Sequence, residues 1–263
     1  MLTHDILASV SGTLVGFVLG LVGGGGSILA VPLLVYLVGV RSPHVAIGTS
    51  AVAVALSALM NLWGHASQNH VKWRCALTFA AAGTVGAALG STLGKQFDGE
   101  KLLVLFGVLM VVIAVAMFFK KAVSGDEAVR LDWSSAPQLA PMLLFYGVGV
   151  GALSGFFGIG GGFLIVPGLM AATNMPLLFA IGSSLVSVSA FGLTTAGNYA
   201  LSGMIDWRLV AFFILGGIAG GFLGRRAAVL LSDRKQVLTN IFAGIVATIG
   251  MFVVLKGINN LSG

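Results

Sequence analysis

Long apolar stretches, separated by short polar segments, make up most of this chain. A helix needs about 20 apolar residues to cross the hydrocarbon core of a bilayer, which is roughly 30 Å thick. Eight apolar regions approach or exceed that length, at residues 6–40, 46–63, 76–93, 102–119, 142–172, 180–197, 209–223 and 237–255. This pattern predicts an all-α polytopic membrane protein.

One polar segment, at residues 120–137, divides the eight regions into two groups of four. The predicted organisation is therefore a first membrane repeat over residues 1–119, a polar linker over residues 120–137, and a second membrane repeat over residues 138–263.

The two groups of regions are repeats of one another. Residues 16–32 align with residues 151–167, and the motif AIGTS at residues 46–50 aligns with AIGSS at residues 180–184. General hydrophobicity does not explain matched glycine, proline and hydroxyl positions over this length. The sequence therefore indicates an internal duplication.

The first apolar region of each repeat contains a helix-breaking stretch, VGGGGSILAVP at residues 22–32 and FGIGGGFLIVP at residues 157–167. Glycine costs about 1 kcal/mol relative to alanine in a helix interior. Within a membrane, irregular backbone is tolerated only where protein buries it or where it lines a cavity. We therefore expect the first segment of each repeat to be broken or re-entrant at its glycines. The alternative is that the glycines only allow close packing of helices.

Composition agrees with a membrane protein. Hydrophobic residues make up 57% of the chain and charged residues 8%, whereas soluble domains carry about 25% charged residues. The mean hydropathy is +1.04 and the pI is about 9.8. The basic residues lie in short segments between apolar regions, as membrane orientation requires, and form no basic face for nucleic acid. We expect the lipid bilayer, and not nucleic acid, as a partner.

The distribution of basic residues depends on the course of the first region of each repeat. If that region enters and returns, each half crosses the membrane three times and the two halves are inverted. One side then holds nine of the 14 Lys and Arg residues. These are Lys72, Arg74, Lys120, Lys121, Arg130, Arg225, Arg226, Arg234 and Lys235. A single crossing would instead divide the basic residues evenly between the sides.

The positive-inside rule favours the uneven distribution. We therefore predict two inverted repeats of four hydrophobic segments each, in a bacterial inner (plasma) membrane, with both termini extracytoplasmic. The linker would lie in the cytoplasm.

The glycine breaks indicate a site for an anion. A helix that restarts after a break presents N–H groups without partners and a partial positive charge, and glycine lets the backbone approach a ligand. We expect these helices to restart near Ser27 and near Gly162. The hydroxyls of the AIGTS and AIGSS motifs are further ligands or, alternatively, helix caps. The predicted substrate-binding residues are Gly25, Gly26, Ser27, Thr49, Ser50, Gly161, Gly162, Ser183 and Ser184, with Asn61 and Asn198 as weaker candidates.

For the two asparagines the alternative is hydrogen bonding between helices. No other set of reactive residues points to an enzyme. The single cysteine excludes an internal disulfide, and we expect no catalytic residue, no metal and no cofactor. Every carboxylate lies in a loop or near a terminus, so none is available for proton coupling within the membrane. Arg74 and Arg208 are interpreted as interfacial charges that draw anions toward the mouths of the pathway.

These motifs resemble the TauE/SafE sulfite exporter family. The second half carries GxGGGxxxVP at residues 158–167, the first half carries a looser version at residues 23–32, and each is followed by AIG[TS]S. The segment MIDWR at residues 204–208 fits the same family. The first half departs from the second in having Ser27 where the second has Gly162, and VKWR where the second has IDWR.

The resemblance covers nearly the whole chain. It implies an inner-membrane permease that exports sulfite, organosulfonates or related small sulfur-containing anions. The identity of the anion and a homodimeric assembly stay open. Two alternatives to this function also stay open, a transporter of another small solute or cation, and a membrane scaffold that transports nothing.

Overall fold

The computed structural model describes residues 2–22, 24–119, 129, 131–132, 135–158, 160, 162–230 and 235–262. All regular structure in these residues is helical. The first half contains α1 (Leu2–Val22), α2 (Ala30–Pro32), α3 (Pro43–Ser67), α4 (Trp73–Gln96) and α5 (Gly99–Phe119). The second half contains α6 (Ala136–Phe157), α7 (Gly162–Thr173), α8 (Leu177–Ala200), α9 (Trp207–Leu230) and α10 (Lys235–Ser262).

A short, irregular helix follows the first long helix of each half. In the first half it consists of a 3₁₀ helix (Gly24–Leu29), then α2, then a π-helical stretch (Leu33–Val38). We call these three parts together the first half-helix, and we call α7 the second half-helix. Seven of the other described helices are long and apolar enough to cross a membrane. The prediction of an all-α polytopic membrane protein is confirmed.

The long helices pair across the two halves of the chain. α1 packs against α9, α4 against α6, α3 against α8, and α5 against α10. Each pair takes one helix from each half, and both hydrophobic clusters of the core contain residues of the two halves.

Helices at equivalent positions of the two halves run in opposite directions. Gly48 near the start of α3 lies beside Tyr199 at the end of α8, and Gly192 of α8 lies beside Ala55 of α3. In the same way, Gly257 of α10 lies beside Val104 of α5. The pairs α3–α8 and α5–α10 are therefore antiparallel.

Close packing of the pairs α1–α9 and α4–α6 depends on glycine. A methyl group on Gly151 of α6 would overlap the carbonyl oxygen of Gly83 in α4, and one on Gly16 of α1 would overlap that of Gly217 in α9. Small residues at such positions let helix backbones approach one another in a membrane, where dispersion contacts drive association. Glycine therefore serves close helix packing in these two helix pairs. This is the role that the sequence allows as the alternative for the glycines of the breaks.

Both half-helices turn back along the helix before them. Gly26 packs against the backbone of Leu19 in α1, and Gly39, just beyond the first half-helix, lies beside His4. In the second half, Gly168 of α7 lies beside Val150 of α6. Each long helix and the half-helix after it therefore form a hairpin.

The two ends of the bundle can be named by their ion pairs. At one end Asp5 pairs with Arg208, Pro43 lies beside Gly99, and Lys95 bonds to Asn198. We call this the Asp5 end. At the other end Arg74 pairs with Asp132, and we call this the Arg74 end.

Two boundaries differ from the sequence prediction. The first half-helix begins at Gly24 and not near Ser27, because the glycines form a 3₁₀ turn instead of an extended break. The second half-helix begins at Gly162, as predicted. α6 begins at Ala136, inside the predicted linker, with Pro137 in its first turn, where the missing N–H of proline costs no helical hydrogen bond. Most of the linker, including residues 120–128, lies outside the described residues.

The packing role of Gly151 gives a direct prediction. Gly151→Ala should lower the free energy of unfolding by about 1–3 kcal/mol, because α4 and α6 must separate to admit the methyl group. Gly149→Ala is the matched control on the same helix, since a methyl group there meets no atom within 4 Å. Thermal unfolding of the purified protein in detergent measures both. Equal stability of the two variants would contradict the packing role.

Candidate functional site

The second glycine break lies between the centres of α3 and α8. Gly158 and Gly160 both have φ of +66°, a left-handed conformation that glycine adopts without steric cost. A methyl group on Gly158 would overlap the side chain of Ile47. One on Gly160 would lie 3.1 Å from Val54 Cγ1 and 3.6 Å from Val188 Cγ1. The turn that precedes α7 is therefore enclosed by protein.

The first glycine break is buried in the same region. Gly25, Gly26 and Ser27 are all buried, and their 3₁₀ helix contacts both α7 and α8. The structure therefore brings the start of the first half-helix against the second half-helix, which begins at Gly162. Gly161, which the sequence also predicts as a ligand, lies outside the described residues.

Thr49 and Ser183 join the two halves of the chain. The Oγ1 of Thr49 accepts a hydrogen bond from the backbone N–H of Asp206, at 3.0 Å. The Oγ of Ser183 accepts one from the backbone N–H of Lys72, at 2.9 Å. Each hydroxyl thus receives an N–H that precedes a helix of the other half. Neither hydroxyl caps its own helix, because the N-caps of α3 and α8 are Ser42 and Pro176. The two hydroxyls instead hold the residues that precede α9 and α4.

Ser50 and Ser184 hydrogen-bond within their own helices. The Oγ of Ser50 donates to the carbonyl of Ile47, and the Oγ of Ser184 donates to the carbonyl of Ile181. Because α3 and α8 are antiparallel, AIGTS and AIGSS lie at opposite ends of this pair. The structure does not bring the four hydroxyls together. It does bring the second break against AIGTS, through the contact of Gly158 with Ile47.

The two asparagines make different contacts. The Nδ2 of Asn61 donates to the carbonyl of Ser57 in its own helix, and the amide lies beside Gly221 of α9. Asn198 bonds α8 to α4. Its Nδ2 donates to Ser91 Oγ and Thr92 Oγ1, and its Oδ1 accepts from Lys95 Nζ at 2.7 Å. Asn198 therefore makes the interhelical hydrogen bonds that formed the alternative to substrate contact.

Both arginines that the sequence suggests as anion attractors are neutralised by carboxylates. Arg208 donates from Nε to Asp5 Oδ1 at 3.0 Å and from Nη2 to Asp5 Oδ2 at 2.6 Å. Arg74 pairs with Asp132 at 2.7 Å, with both side chains largely exposed. A carboxylate cancels most of the field that a guanidinium presents to an incoming anion. The interpretation of Arg74 and Arg208 as attractors is therefore corrected to one of paired charges.

Comparison with known sequences identifies the family of this chain. A sequence model described as Sulfite exporter TauE/SafE matches residues 8–253, which is almost the whole chain. The chain belongs to the TauE/SafE family of membrane transporters.

Relatives of this TauE/SafE protein carry similarly general names. It is 50% identical over 247 residues to a probable membrane transporter protein of Xylella fastidiosa, covering 94% of this chain and 93% of the relative. It is 27% identical to the probable membrane transporter protein YunE of Bacillus subtilis, covering 96% and 98%. It is 30% identical to the probable membrane transporter protein MJ0441 of Methanocaldococcus jannaschii, covering 70% and 68%. No solved structure matches the chain.

Two further hydroxyls of this TauE/SafE chain lie near the second break. Ser187 precedes Val188, which lines the break, and Ser154 lies in the last turn of α6 before Gly158. Both side chains are fully buried, and neither hydroxyl has a hydrogen-bond partner among the described residues. Buried hydroxyls in helices usually bond to a carbonyl of the preceding turn, as Ser50 and Ser184 do here. Unpaired buried hydroxyls indicate a polar guest such as water or a ligand.

Sequence reasoning missed both serines. Ser187 could have been found, because it follows Ser183 by four residues and shares its helix face in the run SSLVS. Ser154 gives no such signal, because its repeat partner at position 19 is a leucine.

The electrostatics of the site come from the backbone. The side chains found against the second break, which are Ile47, Val54 and Val188, carry no charge, and the first break packs against the backbone of Leu19. The positive end of α7 therefore supplies the field at Gly162, in surroundings of low dielectric constant. In the described part of the chain, no group of three or more His, Cys, Asp and Glu residues could hold a metal ion.

The hydrogen bond between the halves at Thr49 gives a second prediction. Thr49→Val keeps the shape of the side chain but leaves the N–H of Asp206 without its acceptor, so the free energy of unfolding should fall by about 1 kcal/mol. Ser50→Ala is the control, because its hydroxyl bonds only to a carbonyl of its own helix. Thermal unfolding in detergent compares them, and a larger loss in Ser50→Ala would contradict the assignment.

Proposed function

We propose that this protein exports a small sulfur-containing oxyanion, sulfite or an organosulfonate, across the inner membrane through a site at the two glycine breaks. The observation that carries the proposal is the burial of the first glycine break against the second half-helix and α8, while the second break lies between α3 and α8. Glycine breaks at equivalent positions of two repeats are the arrangement in which transporters bind their substrates near the bilayer midplane. The description of the family supports sulfite as the anion.

The proposed topology is that of inverted repeats with both termini extracytoplasmic. The antiparallel courses of α3–α8 and α5–α10 support inversion, and the hairpins formed with the half-helices support re-entrant segments. With this course the Asp5 end carries five basic residues, Arg41, Lys95, Lys101, Arg208 and Lys256. The predicted topology assigns the other nine to the opposite side, which is the side of Arg74, so the positive-inside rule makes the Arg74 end cytoplasmic.

In the proposed site, backbone and hydroxyl groups replace the water around the anion. N–H groups of Gly25, Gly26 and Ser27 contribute from the first half, and those of Gly161 and Gly162 from the second. Of the predicted hydroxyls, Ser50 and Ser184 stay candidates for direct contact. Thr49 and Ser183 instead position the loops before α9 and α4.

The unpaired hydroxyls of Ser154 and Ser187 extend this set of donors. A site with no fixed positive side chain holds an anion weakly, which favours release. An inside-negative membrane potential then drives the anion outward, by about 2.3 kcal/mol per charge for each 100 mV.

Flux through proteoliposomes tests this function. We expect electrogenic uptake of sulfite by wild-type vesicles and a loss of about tenfold or more in Gly160→Ala. The added methyl forces a non-glycine residue into positive φ and approaches Val54 to 3.1 Å. Gly197→Ala, on α8 with open space around it, is the matched control. Cation-selective flux, absent flux, or full activity of Gly160→Ala would overturn the proposed site.

The topology has its own test, with cysteines at the two ends of α3. Ser42 precedes α3 and Gln68 follows it, and both are exposed. In a Cys75→Ser background, an impermeant maleimide applied to intact cells should label Ser42→Cys, because position 42 lies at the Asp5 end. It should label Gln68→Cys only after the inner membrane is permeabilised. The reverse pattern would place the termini in the cytoplasm and reject the orientation.

A further inference from the structure

We propose that Lys95, Tyr199 and His44 form a second oxyanion-binding station at the Asp5 end of the pathway. The proposal rests on the proposed function, and it adds a charged contact that the glycine breaks lack. The three residues lie on α4, α8 and α3, in the order named.

Lys95 is a cation held by neutral groups. Its Nζ donates to the carbonyl of Asn198 at 3.1 Å, to Asn198 Oδ1 at 2.7 Å and to Ser202 Oγ at 2.9 Å. No carboxylate lies within ion-pair distance of it among the residues that the structure describes. Arg74 and Arg208, by contrast, are both ion-paired. Lys95 therefore keeps its net positive charge without a carboxylate counter-ion in the described residues, while three acceptors fix its position.

The position of Lys95 is well defined by the groups behind it. Asn198 Nδ2 donates to Ser91 Oγ and to Thr92 Oγ1, which leaves the amide oxygen for the ammonium. Lys95 lies in the last turn of α4 and bonds to the last turn of α8, where the negative ends of both helices stabilise a cation. This arrangement explains how a half-buried lysine is tolerated without a carboxylate.

Two buried polar atoms without partners belong to rings in this neighbourhood, Tyr199 beside Lys95 and His44 beside Tyr199. Tyr199 is fully buried, and its hydroxyl has no hydrogen-bond partner in the described residues. Lys95 Nζ lies 6.0 Å from the centroid of the Tyr199 ring, and the His44 ring lies 6.3 Å from it. His44 Nε2 lies 3.1 Å from the carbonyl of Phe97, to which it must donate, and Nδ1 is buried without a partner.

The hydrogen bonds of Lys95 leave the Tyr199 hydroxyl and His44 Nδ1 without partners. Buried polar groups are nearly always hydrogen-bonded, to protein or to a guest. An unpaired phenolic O–H on a ring next to an ammonium that has no carboxylate partner suits an anion with oxygen acceptors. His44 Nδ1, the acceptor of the neutral ring, suits a water or a hydroxyl of the guest. The fitting occupant is a small hydrated oxyanion.

The station adjoins the glycine site through α3. Ile47 contacts Gly158 of the second break, and the next residue, Gly48, contacts Tyr199. An anion that leaves the break toward the Asp5 end therefore passes along AIGTS to reach Lys95.

The repeat contains no counterpart of the station. The position aligned with His44 is Leu178, the position aligned with Lys95 is Val229, and the position aligned with Tyr199 is His65. The station thus makes the two ends of the pathway different. We expect it to affect sulfite binding at the Asp5 end.

Sulfite transport in sided proteoliposomes tests the station. Lys95→Gln should raise the half-saturating sulfite concentration at the Asp5 end by about tenfold, because it removes the positive charge that attracts the anion. Lys95→Arg should stay close to wild type, and Tyr199→Phe should show a smaller rise than Lys95→Gln. Lys101→Gln, which removes a charge from an exposed position at the same end, is the matched control and should have no effect. Equal behaviour of Lys95→Gln and Lys101→Gln would overturn the proposal.

Direct binding separates failure of the station from failure of the proposed function. In a Gly160→Ala background, sulfite should still raise the unfolding temperature of the detergent-purified protein, and adding Lys95→Gln should abolish that rise. If wild-type vesicles move no oxyanion but this rise depends on Lys95, the proposed function fails and the station stands. A rise that survives Lys95→Gln rejects the station.

The lipid composition of the vesicles identifies the source of the oxyanion. The effect of Lys95→Gln should be the same in phosphatidylcholine vesicles with and without phosphatidylglycerol. An effect confined to vesicles with phosphatidylglycerol would identify a lipid phosphate as the occupant and reject a substrate station.

Discussion

The structure depends on one constraint, which is that broken backbone in a membrane must be covered by protein. Two glycine breaks interrupt the bundle, and each exposes N–H and carbonyl groups that a continuous helix would satisfy. The long helices α3 and α8 enclose the second break, with Val54 and Val188 beside Gly160, and α1, α7 and α8 contact the first. The antiparallel pairing of equivalent helices allows one half to cover the break of the other. The shared core, the hairpins and the hydrogen bonds between halves all serve that enclosure.

Glycine has two separate functions in this arrangement. At Gly83 and Gly151 it lets α4 and α6 approach until their backbones touch, and this approach joins the halves. At Gly158 and Gly160 it permits positive φ and leaves room beside the backbone. The first function gives a rigid frame, and the second gives a place where an anion can meet N–H groups without an intervening side chain. The bundle tolerates the glycines of the breaks because the glycines between α4 and α6 let the helices pack into a rigid frame.

The sequence predicts the helices, the duplication and the positions of the breaks, because these depend on local composition and on the repeat. It does not predict the hydrogen-bond partners of the hydroxyl residues that match between the two repeats. Thr49 bonds to a residue 157 positions away, and Ser183 bonds to one 111 positions away. The pairing of Asp5 with Arg208, 203 positions apart, likewise follows only from the packing of α1 on α9. Ser154 and Ser187 stand out only when their buried, unpaired hydroxyls are seen.

Function in this account follows from where charge is present and where it is missing. In the proposed function the breaks would hold an anion with dipoles and hydroxyls, while Lys95 of the proposed station carries a positive charge at the Asp5 end. The most direct test is a structure of the protein soaked with selenite, a heavier analogue of sulfite, with anomalous scattering from selenium. The account predicts an anomalous peak between the starts of the two half-helices, near Ser27 and Gly162. Peaks that occur only elsewhere, with none between the breaks, would contradict it.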